Sequence, residues 1–329
     1  MQINRRDFTA ALASFAALAG WSGTASAQEL IPMLRILVGY PPGGTTDAAA
    51  RRYADGLRGS YAQTTLVDNR PGAGGRIALA EMRRAPPDGS VVVIQPEAVL
   101  TLVPLVDPKN ATFRLADVTP ISPCAVVRHA LAVGPMVPTS VKSVKDFLEW
   151  AKANPNIANY GSPGANTPQR FLIEELVRET GVGLNHIPYK GSAPGVTDLL
   201  GGQVAAMCSP IGDSLPYLKD GRLRVLALAS ERRSTLAPEV PTFAEQGFPT
   251  LVADETSGAV MHKDTPPAVA QRLAKAMAVI AAQPETAQIL GRLGLEPTSA
   301  TPEQYSRQLN ANFARWEERV KASGFKPEI

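Results

Sequence analysis

The chain has 329 residues, of which 44% are hydrophobic and 19% charged, and its net charge is +3. That composition excludes a disordered or fibrous protein, and the near balance of charge excludes a broad basic field for nucleic acid or lipid head groups. The length is enough for two domains, each with its own core.

At the N-terminus, Arg5 and Arg6 stand before Phe8, an apolar run follows over 9–21, and Ala25-Ser26-Ala27 gives the small-x-small pattern of a signal peptidase site. Residues 1–27 therefore read as an export signal of twin-arginine type cleaved after Ala27, with the general secretory route as the alternative, and the mature chain is expected in the periplasm. The run is shorter than the roughly 20 apolar residues that a membrane span needs. Cys124 and Cys208 lie in apolar, strand-like runs and read as buried thiols, a single disulfide being the alternative.

The first element of the mature chain is a strand over 34–38. Pro41, Pro42, Gly43 and Gly44 end it, and Ala-rich helical periodicity begins at Thr46 or Asp47. Strand, glycine loop and helix N-terminus together make a cradle for an anion, because the first N–H groups of a helix lack intrahelical partners and sit at the positive end of its dipole. The competing reading is a plain turn, with Asp47 satisfying those same donors.

The helix carries Ala49, Tyr53 and Leu57 on one face. A second strand over 64–67 leads into the glycine-rich loop 68–76 and a helix over 77–84; a third strand over 91–94 ends at Gln95. Strands alternating with short helices predict a doubly wound, mostly parallel α/β sheet, whose ligands bind beyond the C-terminal strand ends. Tyr40 to Asp47 and Gln95 emerge there. A strand over 125–133 reads as the crossover to a second domain, and a capped amphipathic helix covers 143–153. The opening logic then repeats: a strand over 157–160, the loop Gly161-Ser162-Pro163-Gly164-Ala165-Asn166-Thr167, and Pro168 at the first helical position. Further strands are expected over 185–189, 204–209 and 223–229, with a helix over 193–200. From Pro266 the pattern is helical, over 268–282, 284–293 and 302–323; Tyr305, Leu309, Phe313, Trp316 and Val320 recur at helical spacing, for core or inter-domain packing.

Reaction machinery is not visible in this pattern. There is no G-x-S-x-G elbow, the histidines His129, His186 and His262 are scattered outside any metal spacing, and neither nucleotide-binding glycine motif occurs. No catalytic residue, metal or cofactor is expected.

The ordered motifs Tyr40-Pro-Pro-Gly43-Gly44-Thr-Thr-Asp47, Asp68-Asn69-Arg70-Pro71-Gly72, Tyr160-Gly161-Ser162-Pro163-Gly164, His186-Ile-Pro188-Tyr189-Lys190-Gly191, Asp198-Leu-Leu-Gly201-Gly202-Gln203 and Pro241-Thr242-Phe243 closely resemble the Bug family. These are extracytoplasmic receptors of tripartite tricarboxylate transporters, and the likeness runs from about residue 32 to 324. It implies a type II periplasmic-binding-protein fold of two α/β domains with the ligand cleft between them, the first formed by 28–130 with 254–329 and the second by 131–253. It further implies that a ligand carboxylate is held as in pincers by Tyr40, Gly43, Gly44, Thr45, Thr46 and Asp47 on one side. Gly161, Ser162, Gly164, Ala165, Asn166 and Thr167 hold it on the other. Gln95, Tyr189, Lys190, Gly191 and Asp213 would meet the far end. The implied partners are a small organic carboxylate and the membrane permease subunits, with the receptor itself a monomer and not an enzyme. Two departures bear on the ligand. Arg170 stands near the head of the second helix, either as a grip on a second carboxylate or as a surface arginine, and Asp254-Glu255-Thr256-Ser257-Gly258 replaces an expected aromatic before the glycine. Alternative roles for such a chain are a sensor that presents its ligand to a signalling kinase, and an enzyme built on the binding-protein fold.

Overall fold

The computed structural model describes residues 29–109 and 111–325; the expected signal segment 1–27 lies outside them. From Ile31 onward the described chain builds two sheets flanked by helices. From edge to edge the first runs through Leu295–Pro297, Val118–Val127, Glu255–His262, Val91–Pro96, Ile31–Val38 and Ala62–Asn69, and the second through Asn185–Pro188, Asn159–Ser162, Ala206–Pro210, His129–Val133 and Arg224–Leu228.

Strand β1 (Ile31–Val38) is a continuous apolar run because both its faces are covered: Leu34, Ile36, Leu37 and Val38 are all fully buried. It pairs in parallel with β2 (Ala62–Asn69) and β3 (Val91–Pro96). Helix α1 (Thr45–Leu57) packs on one face through Ala49, Ala50, Tyr53 and Leu57, and α2 (Arg76–Met82) covers the other through Ala78, Leu79 and Met82. The sheet is thus doubly wound, as the alternation of strands and helices predicts.

The expected strand 125–133 is two strands in different sheets. β4 (Val118–Val127) belongs to the first and β5 (His129–Val133) to the second, with Arg128 between them as the crossing point. The N-terminal part of β4 is hidden in the sequence by Pro120 and Pro123, which argue against a central strand. Register shifts in the antiparallel β4–β10 ladder at Ser257/Gly258 and Ala259/Val260 accommodate them.

The second sheet comprises β5 with β6 (Asn159–Ser162), β7 (Asn185–Pro188), β8 (Ala206–Pro210) and β9 (Arg224–Leu228). It is flanked by α3 (Val144–Ala153), α4 (Pro168–Thr180) and α5 (Ser192–Leu200). Strand β10 (Glu255–His262) then returns to the first sheet between β3 and β4, and the short β11 (Leu295–Pro297) closes its edge. Because β10 and β11 run against their neighbours, and β5 runs against both β8 and β9, the sheets are mixed rather than mostly parallel.

The C-terminal helices α6 (Pro267–Ala281) and α7 (Pro284–Gly291) join the core of the first sheet through Leu273, Met277, Ile280 and Leu290. Helix α8 (Pro302–Ala322) straddles both halves. Tyr305 lies over Gly258 of β10, whereas Trp316 and Val320 enter the cluster that contains Phe171 and Leu172 of α4. Phe313 on the same stripe is half-buried. Cys124 and Cys208 are free thiols buried in separate clusters, so the disulfide alternative is set aside.

Candidate ligand-binding site

Tyr40 and Gln95 leave the first sheet side by side, because Val38 and Ile94 are register partners in β1 and β3. The loop between β1 and α1 is exposed from Pro41 to Thr45, and Gly44 caps α1 with no side chain to occupy the helix's first N–H groups. Its shape is set from below. Asp47, buried, accepts from the Gly43 N–H (2.9 Å), from Arg51 Nε (2.9 Å) and from Asn69 Nδ2 (2.8 Å), and Asn69 also donates to the Tyr40 carbonyl (3.1 Å). Burial pushes the Asp47 carboxyl up, but these donors outweigh it and hold it below its ordinary value. The carboxylate of Asp47 therefore braces the loop from beneath. The loop 72–75 presses on the same turn, since a Cβ on Gly39 would overlap the Gly75 Cα.

The second loop is braced in the same manner. Ser162, fully buried, donates to the Gly164 carbonyl (2.8 Å), and Thr167 Oγ1 donates to that carbonyl too (3.0 Å). His186 Nε2 lies 2.8 Å from Ser162 Oγ, and the His186 ring lies tilted by 33° against Tyr160 at 4.9 Å; burial, with Arg170, lowers its pKa to about 4. Ser162 Oγ thus has the Gly164 carbonyl and His186 Nε2 both within hydrogen-bond distance. Arg170 donates to Glu174 (2.7 Å) and to the Ala165 carbonyl (2.8 Å), which ties the loop to α4. Ala165 and Asn166 are exposed at the tip, and α4 begins at Thr167 without a side-chain cap. Tyr189 packs on Gly161 and its hydroxyl donates to Asp198 (2.9 Å), so it too shapes the wall. Lys190 and Gly191 are exposed beside it.

The halves meet through a polar cluster. Gln169, in the first turn of α4, contacts His129 Nδ1 through Nε2 (3.0 Å); His129 Nε2 in turn lies 3.4 Å from the Glu255 carboxylate of β10. Glu255 is felt at Tyr40, whose hydroxyl burial and that negative charge raise to about 12 against the opposing pull of Arg76. Asp213, in the turn after β8, neighbours Ser192, Ser209 and His129, and burial raises its carboxyl. Thus Gln95, Tyr40 and Asp213 from the sequence reading share a region with His129, Gln169 and Glu255, which that reading did not place in the site. The available signal was weak: a lone histidine at a crossover, and an acid where an aromatic is usual. Among the described residues no group of three or more His, Cys, Asp or Glu is arranged to hold a metal, and no helix is long and apolar enough to cross a membrane.

Two α/β halves, joined where the chain crosses at Arg128 and touching through Gln169, His129 and Glu255, make a two-sheet α/β fold. The family model for the tripartite tricarboxylate transporter family receptor matches residues 49–325, which starts just after the first loop. Protein BugT of Bordetella pertussis is 32% identical over 330 residues, covering 98% of this chain and 99% of its own. Among solved structures, the R. palustris protein Rpa4515 with adipate is 30% identical with a TM-score of 0.76, covering 90% of this chain and 99% of its own. The periplasmic binding protein BugD is 27% identical with a TM-score of 0.72 over 90% of this chain and 99% of its own. The chain belongs to the family of tripartite tricarboxylate transporter receptors.

Proposed function

We propose that the protein is a periplasmic receptor that captures a small organic carboxylate and delivers it to the permease subunits of a tripartite transporter. The signal at 1–27 would carry it there. Residues 28–130 with 254–329 would form one domain and 131–253 the other, closing on the ligand by hinge motion. The carboxylate would lie between the first-turn N–H groups at Thr45, Thr46 and Asp47 and those of the loop 161–167, with Tyr40, Gln95, Asp213 and the backbone near Gly191 around the remainder. The observation that carries this reading is that both helix heads, at Gly44 and at Thr167, lack a side-chain cap while the side chains around them brace the loops from behind. Adipate in the relative Rpa4515 supports a carboxylate as the ligand class.

The test is a thermal-shift screen of mono-, di- and tricarboxylates. A true ligand at a hundred times its Kd should stabilise the folded chain by about 2.7 kcal/mol. A panel that leaves the melting curve unmoved removes the receptor reading. Capture of the detergent-solubilised permease by the liganded protein tests the delivery step separately.

A further inference from the structure

Away from the cleft, a cavity of about 640 Å³ lies between the C-terminal half of α8, the second half of α4 and the segment 249–252. Three guanidiniums line it, those of Arg178, Arg315 and Arg319. Arg319 is 5% exposed, and its Nη2 donates to the Thr250 carbonyl (2.7 Å). Its Nε is ion-paired with Glu175 Oε2 at 2.7 Å without the alignment of a hydrogen bond, and its buried Nη1 has no partner. Arg178 reaches the other oxygen of Glu175 only at 3.9 Å. Arg315, half-buried, makes no ion pair or side-chain hydrogen bond among the described residues. One buried acid therefore answers three cations.

The other acids of the cavity, Glu231 and Glu318, are exposed and bring its formal sum to zero, yet charges that face water are screened far more than those inside. Glu179, on the same flank, is bonded to Thr250. Burial lowers the Arg319 pKa, and Arg315 and Arg178 add to the fall against the pull of Glu175, so the guanidiniums are close enough to repel one another. A buried donor without a partner calls for an acceptor. A carboxylate matches a single guanidinium fork, whereas a tetrahedral oxyanion has oxygens enough for three.

The cavity is not the cleft. Arg178 lies ten residues along α4 from Pro168, about 15 Å by the helix rise. An adjoining cavity continues along α8 from Arg315 and is bordered by Arg128 and Asp254; the residues that follow these two, His129 and Glu255, face each other on the cleft side, as alternate side chains of extended chain do.

We propose that this cavity is a second binding site, which takes a small molecule bearing a tetrahedral oxyanion of the phosphate or sulfate kind and holds it with Arg315, Arg319 and Arg178.

The experiment is calorimetry and thermal shift on the full chain with inorganic phosphate, sulfate and pyrophosphate, each against sodium chloride at equal ionic strength. At least one of the three should bind and raise the melting temperature. Arg315→Gln should weaken that binding about tenfold or more while leaving the unliganded melting temperature close to the parent's, since Arg315 holds no other group. Arg178→Gln reads the same loss from α4 should Arg315→Gln fold poorly. Three anions that do no more than chloride overturn the inference. So does binding that the well-folded variants leave untouched, which would belong to the helix heads of the cleft. Neither result bears on the carboxylate screen, so the receptor reading stands or falls separately.

Discussion

Glu97 sits one residue beyond β3, 3% exposed, and accepts from Thr256 Oγ1 (2.6 Å) and from Asn312 Nδ2 of α8 (2.8 Å). Burial, reinforced by the charge of Glu255, pushes its pKa from 4.5 up to about 8, and those hydrogen bonds only partly offset the rise. Because the folded value lies above the unfolded one, the stabilising contribution is complete below pH 4.5 and is lost as pH climbs through 8, at up to about 1.4 kcal/mol per pH unit. Glu97→Gln, which cannot ionise, should therefore gain on the parent by about 2–4 kcal/mol between pH 5 and pH 8 in denaturant titrations. Parallel stability profiles for the two proteins would show that Glu97 does not titrate as described. At this scale the sequence was legible where residue type and spacing coincide: Asp47 and Asn69 fall in recognisable motifs, although only coordinates reveal that they brace the loop from beneath. Glu97, Gln169 and His129 were not legible, because their partners lie on strands and helices dozens to hundreds of residues away and nothing local marks them.

Helix α8 shows what a single element can announce about itself. Thr301 accepts from the Gln304 N–H (3.2 Å) while the Gln304 side chain accepts from the Thr301 N–H (2.9 Å), and Pro302 occupies the first helical position, so the helix start is written in Thr-Pro-Glu-Gln. Thr301→Ala should destabilise the protein by about 1 kcal/mol, read as a shift of the denaturation midpoint at unchanged slope. No shift would mean that water replaces the cap without cost. Strand β10 announces nothing. Its Thr-Ser-Gly start lacks the β-branched alternation of a half-buried strand, and it becomes central only because β3 and β4 leave an antiparallel slot for it, with Gly258 admitting the Tyr305 ring. The mixed character of both sheets escaped sequence reasoning for the same reason: strand direction is decided by which distant strand is paired, and periodicity carries no information about that.

The whole molecule turns on the two places where the chain passes between sheets, and one side chain fastens them together. Arg128 lies between β4 and β5, with its side chain 9% exposed, and it grips Glu296 of β11 with Nε (2.8 Å) and Nη2 (3.2 Å). Its Nη1 reaches Asp254 (3.1 Å), at the return crossing just before β10, and Ser234 from the second half donates to the same Glu296 (2.6 Å). Removing the cation leaves two partly buried acids without their partner, a loss that costs about 3–5 kcal/mol in comparable cases, whereas the pair as a whole adds much less than that to net stability. Arg128→Met should accordingly lower stability by that amount, and Arg128→Met combined with Glu296→Leu should recover a substantial part of it. Since the same contact pins both crossings, the single variant should also be more expanded without ligand, seen as a larger radius of gyration in solution scattering, and should compact further than the parent when a ligand binds. A variant that melts lower yet keeps the parent's dimensions in both states would show that Arg128 secures local packing alone.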